Sequence, residues 1–320
     1  MRKIKIDRQQ KQMDGPFPIV YELNDQDKTS ALEDLVGRNK QKIAAQLNVT
    51  GAVVFRGLDI TTDHDFDRFI RAFSWPSFTY NESLSNAVRR NRTDLVFTAY
   101  EAPSSLSIFL HHEMAQTPIY PSKLFFFCER ESDLGGATPI CRSDALLLHL
   151  RRQLPKFIEA CEKKGVRYSQ VMPSADNLSS GQGRSWRNTL NVKNVGDAEA
   201  KLSKLNYKWQ WQSDGALCVT TPVLSAVKLL SDGREVFFNQ LIAAFRGWQN
   251  NPALNRKLIS FGDDSVIRDD DMTIVSEIAD DLSFDISWRT GDVAVLDNFL
   301  VMHGRHPFEG ERSILASLVA

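Results

Sequence analysis

Two polar signatures far apart in the chain constrain its fold more than any other feature. His111-His112-Glu113 closes the apolar run 107–110, and His303 closes the run 299–302. Two imidazoles and one carboxylate on one face of an ion leave the opposite face open, the ligand set that suits a non-haem Fe(II) site able to activate oxygen. On a strand, residues i and i+2 point to the same side, so His111 and Glu113 can address one ion while His112 points away. A chain that uses this set must lay a strand from its first half beside one near its C-terminus. Each signature alone is weak. A His-x-Glu at a strand exit is usually two ordinary polar residues, and a histidine after an apolar strand is usually a hydrogen-bonded core residue.

The pattern around these residues supplies the strands. Gly51-Ala52-Val53-Val54-Phe55-Arg56-Gly57 reads as a buried strand bounded by glycines. A helix over 63–73 follows, with Phe66, Phe69, Ile70 and Phe73 on one face, Thr61 or Thr62 as cap and Trp75-Pro76 as the stop. Runs 107–111 and 124–128 are strands, and Gly135-Gly136 is a tight turn. A helix over 143–160 starts at Ser143 or Asp144 and is broken or kinked at Pro155. The stretch 170–196, rich in Ser, Asn and Gly, reads as a long functional loop, part of a lid or insert around 170–215. Strands resume over 217–221, 226–230, 235–239, 284–288, 292–297 and 314–319, with Asp232-Gly233 as a hairpin turn and one helix over 271–279. Many short strands, with candidate ligands near both ends of the run, predict a mainly β fold with flanking helices (α+β). The expected architecture is a jelly roll, or double-stranded β-helix, in a single domain over 1–320.

Composition narrows the function classes. With 39 Lys+Arg against 40 Asp+Glu the net charge is −1, so no global field gathers nucleic acid or an anionic membrane, and a small-molecule substrate is expected. On the same ground Arg89-Arg90-Asn91-Arg92 reads as a solvated face, and Asp269-Asp270-Asp271 as capping of a helix rather than a calcium loop. Four cysteines without a C-x-x-C pair suit a reducing cytoplasm. No apolar run approaches the ~20 residues of a membrane span, and a soluble, cytoplasmic protein is expected.

Six segments then point to one family. VVFRGLDI from Val53, LHHEMA from Leu110, GGATPI from Gly135, GRSWRNTLN from Gly183, EVFFNQ from Glu235 and GDVAVLDNFLVMHGRHPFEGER from Gly291 occur in this order. Over nearly the whole chain the sequence resembles the Fe(II)/2-oxoglutarate-dependent dioxygenases of the taurine dioxygenase (TauD/TfdA), clavaminate synthase-like family. The resemblance implies His111, Glu113 and His303 as iron ligands. It implies Thr138 as a contact of 2-oxoglutarate and Arg312 as the partner of its distal carboxylate, where a planar guanidinium can bond both oxygens and Lys would be a poor substitute. Many members carry Asp where this chain has Glu113. A carboxylate there argues against halogenation, which needs a small residue at that position.

The implied reaction uses Fe(II), 2-oxoglutarate and O2, releases succinate, and hydroxylates an unactivated C–H bond of a small substrate. The expected substrate is an amino acid or an amino-acid-derived intermediate of secondary metabolism, free or tethered to a carrier protein. Desaturation and ring formation are alternative outcomes of the same chemistry. A catalytically silent metal-binding jelly roll and a zinc hydrolase are the competing classes, and neither needs Arg312. Three further residues are candidate substrate contacts. Arg305 sits in a His-Gly-Arg and could equally pair with Asp297 or Glu309. Asn239 stands beside Gln240 at a strand end. Trp186, near Arg184, belongs to a lid or serves as a packing anchor.

Overall fold

The computed structural model describes residues 1–12, 15–24, 27, 30–78, 84–85, 87–99, 102–176, 183–248 and 258–320. A seven-stranded sheet runs in the spatial order Arg2–Ile4, Ile19–Glu22, Ala52–Arg56, Val293–Asp297, Lys123–Arg130, Ser313–Val319, Phe97–Thr98. Its pairs are antiparallel except Ile19–Glu22 on Ala52–Arg56. Facing it is a four-stranded sheet in the order Phe284–Ile286, Thr138–Arg142, Val301–Arg305, Ile108–His111. The two sheets form the expected jelly roll.

Strand periodicity sorts side chains into layers. Along Val293–Asp297, Ala294 and Leu296 join Val54, Leu124, Ile140, Val301 and Ala316 between the sheets, whereas Val293 and Val295 join Phe55, Phe125 and Phe127 on the outer face. That outer face is covered by the helices Leu32–Thr50 and Asp63–Ala72, through Leu35, Ile43, Leu47, Phe66 and Phe69. The smaller sheet is covered outside by Ser143–Gln153, Pro155–Lys164, Leu241–Gly247 and Asp269–Asp281, packed on Leu110, Cys141 and Met302. Strands buried on both faces are apolar at consecutive positions, which explains the unbroken run Leu124-Phe125-Phe126-Phe127-Cys128.

Several local expectations need correction. The helix Leu32–Thr50 was not anticipated. Its apolar positions Leu32, Leu35, Val36, Ile43 and Leu47 skip a turn, and Ala31 offers no side-chain cap. Its one clear signal is Gly51, left-handed at φ 83°, whose N–H closes on the Leu47 carbonyl. A Cβ on Gly51 would also meet Val301 Cγ2 at 2.4 Å. Pro155 breaks the expected single helix into two, standing in the first turn of the second. Neither Ser143 nor Asp144 caps the first of these: Arg142 is the N-cap residue, and Asp144 pairs with it. Thr62, not Thr61, caps Asp63–Ala72, in a reciprocal box with Asp65.

The stretch 170–215 is not a bare loop. It begins in the strand Val166–Met172, carries the helices Trp186–Leu190 and Val195–Lys204, and ends in Lys208–Trp211, which pairs with Leu217–Thr220. Positions 177–182 of it lie outside the described residues. All four cysteines are buried thiols, and no helix among the described residues is long and apolar enough to cross a membrane.

Candidate active site

The register of the smaller sheet brings the two signatures together. His303, in the middle of Val301–Arg305, lies opposite His111 on one side and Ile140 on the other. Glu113 Oε2 is 3.9 Å from His111 Nε2 and 3.7 Å from His303 Nε2, and one donor atom from each of the three residues falls within 4.8 Å of the others. Two donors about 2.1 Å from a shared ion can be no more than ~4.2 Å apart, so both imidazole–carboxylate separations already fit one metal. No other group of metal-ligating residues of this kind occurs among the described residues.

The electrostatics fit as well. His111 Nδ1 donates to the Phe109 carbonyl at 2.8 Å, which leaves the lone pair on Nε2, facing Glu113. Burial holds His111 below the usual imidazole range against the opposing pull of the Glu113 carboxylate, and holds His303 well below it, with His111 and Arg89 adding to the effect. Both rings are therefore neutral, the form that binds metal. His112 does point away, as expected: Nδ1 bonds the Asn298 carbonyl and Nε2 the Ser143 hydroxyl, and burial lowers it to about 3.

Strand alternation is not what aims Glu113. The strand ends at His111, and Glu113 lies in the turn beyond it, followed by Met114 at φ 60°. The turn is held by Asn298, a fully buried residue whose Oδ1 accepts from the Glu113 N–H at 2.7 Å and whose Nδ2 donates to the carbonyls of Glu113 at 3.0 Å and Pro121 at 2.8 Å. Asn298→Ala strands one N–H and two carbonyls away from water. Each unmet buried group costs about 1–3 kcal/mol, so we expect thermal unfolding to show a stability loss of several kcal/mol. Titration with Mn(II) should show a tenfold to hundredfold fall in affinity, as for other residues that orient a metal ligand.

A cavity of about 130 Å³ opens beside the three residues, and Thr138 and Arg312 line it too. Trp288 Nε1 donates to Thr138 Oγ1 at 2.9 Å, so the threonine's own proton can be donated into the cavity. Arg312 Nε donates to the Gly136 carbonyl at 2.9 Å. Gly136 stands at φ 70°, where a side chain is strained, and a Cβ there would lie 2.6 Å from Ser132 Oγ and 2.9 Å from Arg312 Cδ, so both would have to shift. Burial, with Arg305 nearby, lowers the Arg312 guanidinium to about 10. It stays charged at neutral pH but at a desolvation cost that an anion in the cavity would relieve.

The other candidates divide. Arg305 lines the cavity, yet its guanidinium donates to the carbonyls of Ala102, Pro103 and Leu106 and so ties down that loop. Gln240 lines it and bonds the His112 carbonyl. Asn239 does not line it; its amide bonds Ala226 and Leu241 backbone groups. Trp186 packs in a separate cluster with Met172, Leu190 and Trp211. Arg184, beside it, donates to the backbone of Ser85 and Asn188.

Two cavity residues escaped the sequence. Gln116 is 7% exposed, with its Oε1 buried and without a hydrogen-bond partner among the described residues. Arg89 is the other. Arg90, Asn91 and Arg92 are exposed as a solvated face should be, but the Arg89 side chain is 8% exposed and pairs with Glu113. Nothing in the local run distinguishes it from its neighbours.

The model of the taurine catabolism dioxygenase TauD, TfdA family matches residues 21–318. The chain belongs to that family. This dioxygenase is 35% identical over 280 residues to a clavaminate synthase-like protein of Arabidopsis thaliana, covering 87% of this chain and 84% of the relative. It is 29% identical over 285 residues to the dapdiamide synthesis protein DdaC of Enterobacter agglomerans, covering 85% and 83%. Among solved structures it resembles PvcB, described as an Fe, alpha-ketoglutarate dependent oxygenase from an isonitrile synthetic pathway. The TM-score is 0.54 at 12% identity, over 100% of this chain and 94% of that one, a likeness of fold. Membership places the protein among the iron- and 2-oxoglutarate-dependent dioxygenases.

Proposed function

We propose that this dioxygenase hydroxylates an unactivated C–H bond of a small, amino-acid-derived substrate, with Fe(II) held by His111, Glu113 and His303. Thr138 and Arg312 receive the distal carboxylate of 2-oxoglutarate. The observation that carries the reading is that three ligand atoms and a buried guanidinium line one cavity. A silent jelly roll or a zinc hydrolase has no use for the guanidinium.

Iron, when bound, activates O2 and supplies the oxidising power. The protein's own part is binding and exclusion. Neutral imidazoles and a carboxylate hold the ion, Arg312 and Thr138 orient the co-substrate, and the apolar walls formed by Ile108, Phe126 and Ile314 keep water from the reacting carbon. Overall, substrate C–H, O2 and 2-oxoglutarate become C–OH, succinate and CO2. Gln116 supports an amino-acid-derived substrate, because its buried Oε1, without a hydrogen-bond partner among the described residues, can accept from a substrate N–H. The name of the DdaC relative, in dapdiamide synthesis, supports the secondary-metabolic setting.

The test is aerobic incubation of the Fe(II)-loaded protein and 2-oxoglutarate with a panel of amino acids, N-acylated amino acids and aminoacyl carrier proteins. We expect one product that gains one oxygen per succinate formed. A product that loses two hydrogens per succinate would replace hydroxylation by desaturation or cyclisation. Wild-type protein that binds neither Mn(II) nor 2-oxoglutarate would overturn the reading.

A further inference from the structure

The Arg89–Glu113 contact divides the work of the carboxylate. Arg89 Nη2 donates to Glu113 Oε1 at 2.8 Å, while the other oxygen, Oε2, faces both imidazoles at 3.9 and 3.7 Å. Both partners are held in place. Asn298 locks the Glu113 backbone, and the Arg89 guanidinium lies 5.2 Å from the ring of Phe97, a cation–π distance. At 8% and 7% exposure the pair is shielded from water, so its charge-assisted bond is not diluted by solvent.

We infer that Arg89 is a positioning residue that restricts Glu113 to metal coordination through one oxygen and so keeps a position open for 2-oxoglutarate. The inference rests on the metal-site reading above. A carboxylate can bind a divalent ion through one oxygen or two. In a six-coordinate site three protein donors leave three positions, which a chelating 2-oxoacid and O2 together use up. A second bond from Glu113 would take one of them. With Oε1 engaged by a guanidinium, which takes one of its lone pairs and draws the oxygen away from the imidazoles, that bond is disfavoured. Arg89 also places a positive charge beside the cation, which weakens metal binding in return for an open site.

The two effects have opposite signs, and this separates positioning from a merely structural role. In Arg89→Met the second oxygen is released and the like charge removed. We expect Mn(II) to bind at least as tightly as in wild type, 2-oxoglutarate to bind the Mn(II)-loaded protein at least tenfold more weakly, and the visible absorption of the Co(II)-loaded protein to change before 2-oxoglutarate is added. Measuring the loaded protein lets the ion serve as counter-charge for Glu113. If Arg89→Met does not fold, Arg89→Lys keeps the charge but replaces the fixed fork by one ammonium. It should show wild-type metal affinity with a threefold or greater loss for 2-oxoglutarate.

A fall in metal affinity with 2-oxoglutarate binding unchanged would make Arg89 a counter-ion only, and wild-type values for both would make the pair incidental. Either result overturns the inference and leaves the metal-site reading intact. Wild-type protein that binds no Mn(II) sinks both together.

Discussion

His303→Ala should leave a folded protein that makes no detectable succinate. The ring sits between two strands, 4.4 Å from the ring of His111 and 5.3 Å from that of Phe126, and its Nδ1 has no hydrogen-bond partner among the described residues. Alanine therefore costs ring packing but no internal hydrogen bond, a stability loss on the order of 1–3 kcal/mol. Removing one of three proposed metal donors should lower Mn(II) affinity by more than the tenfold to hundredfold typical of residues that only orient a ligand. Calorimetric titration with Mn(II), beside a melting curve of the metal-free protein, checks both. Retained turnover would remove His303 from the site.

Arg312→Met separates the co-substrate from the metal. Truncating one side of a buried, hydrogen-bonded charge pair costs about 2–5 kcal/mol, so 2-oxoglutarate should bind roughly 30- to several-thousand-fold more weakly. Mn(II) affinity should be unchanged. Stability moves the other way. Because burial lowers the folded-state value to about 10, below the ordinary guanidinium range, the native state binds this proton less well than the unfolded chain. The stability deficit is then fully present below about pH 10 and is relieved as pH rises from there toward the ordinary guanidinium range. At neutral pH the ligand-free variant should thus melt at or above the wild-type temperature. A destabilised variant with intact 2-oxoglutarate affinity would make Arg312 a structural residue.

What could be read from the chain follows the range of the interactions concerned. The central strands of the larger sheet, 52–56, 124–128 and 293–297, were legible because burial on both faces makes them apolar at nearly every position, whereas Arg2–Ile4, Ile19–Glu22, Phe97–Thr98 and Thr138–Arg142 were not anticipated. The hairpin around Asp232-Gly233 was legible from its turn, with Lys228 opposite Val236. The helix Leu32–Thr50 was not, because its apolar stripe lapses for a turn and it has no capping side chain. The insert was misjudged because its polar, glycine-rich composition hid short elements that stand on a small core of their own around Trp186.

The site shows the same division. The sequence by itself determined the proposed donor set: two histidines and a glutamate at apolar strand ends, with a threonine and an arginine in the order of a known family. Residue chemistry is local, and it survives any arrangement of the backbone. Only the tertiary structure decided how those groups are aimed. Glu113 faces the imidazoles because Asn298, 185 residues away, pins its turn, and not because of strand alternation. Arg89 leaves an exposed basic run to bury its charge against Glu113, while Asn239 and Trp186 turn away from the cavity. Such contacts depend on which distant elements pack together, and a buried charge needs a partner that only the closed sheets can bring to it.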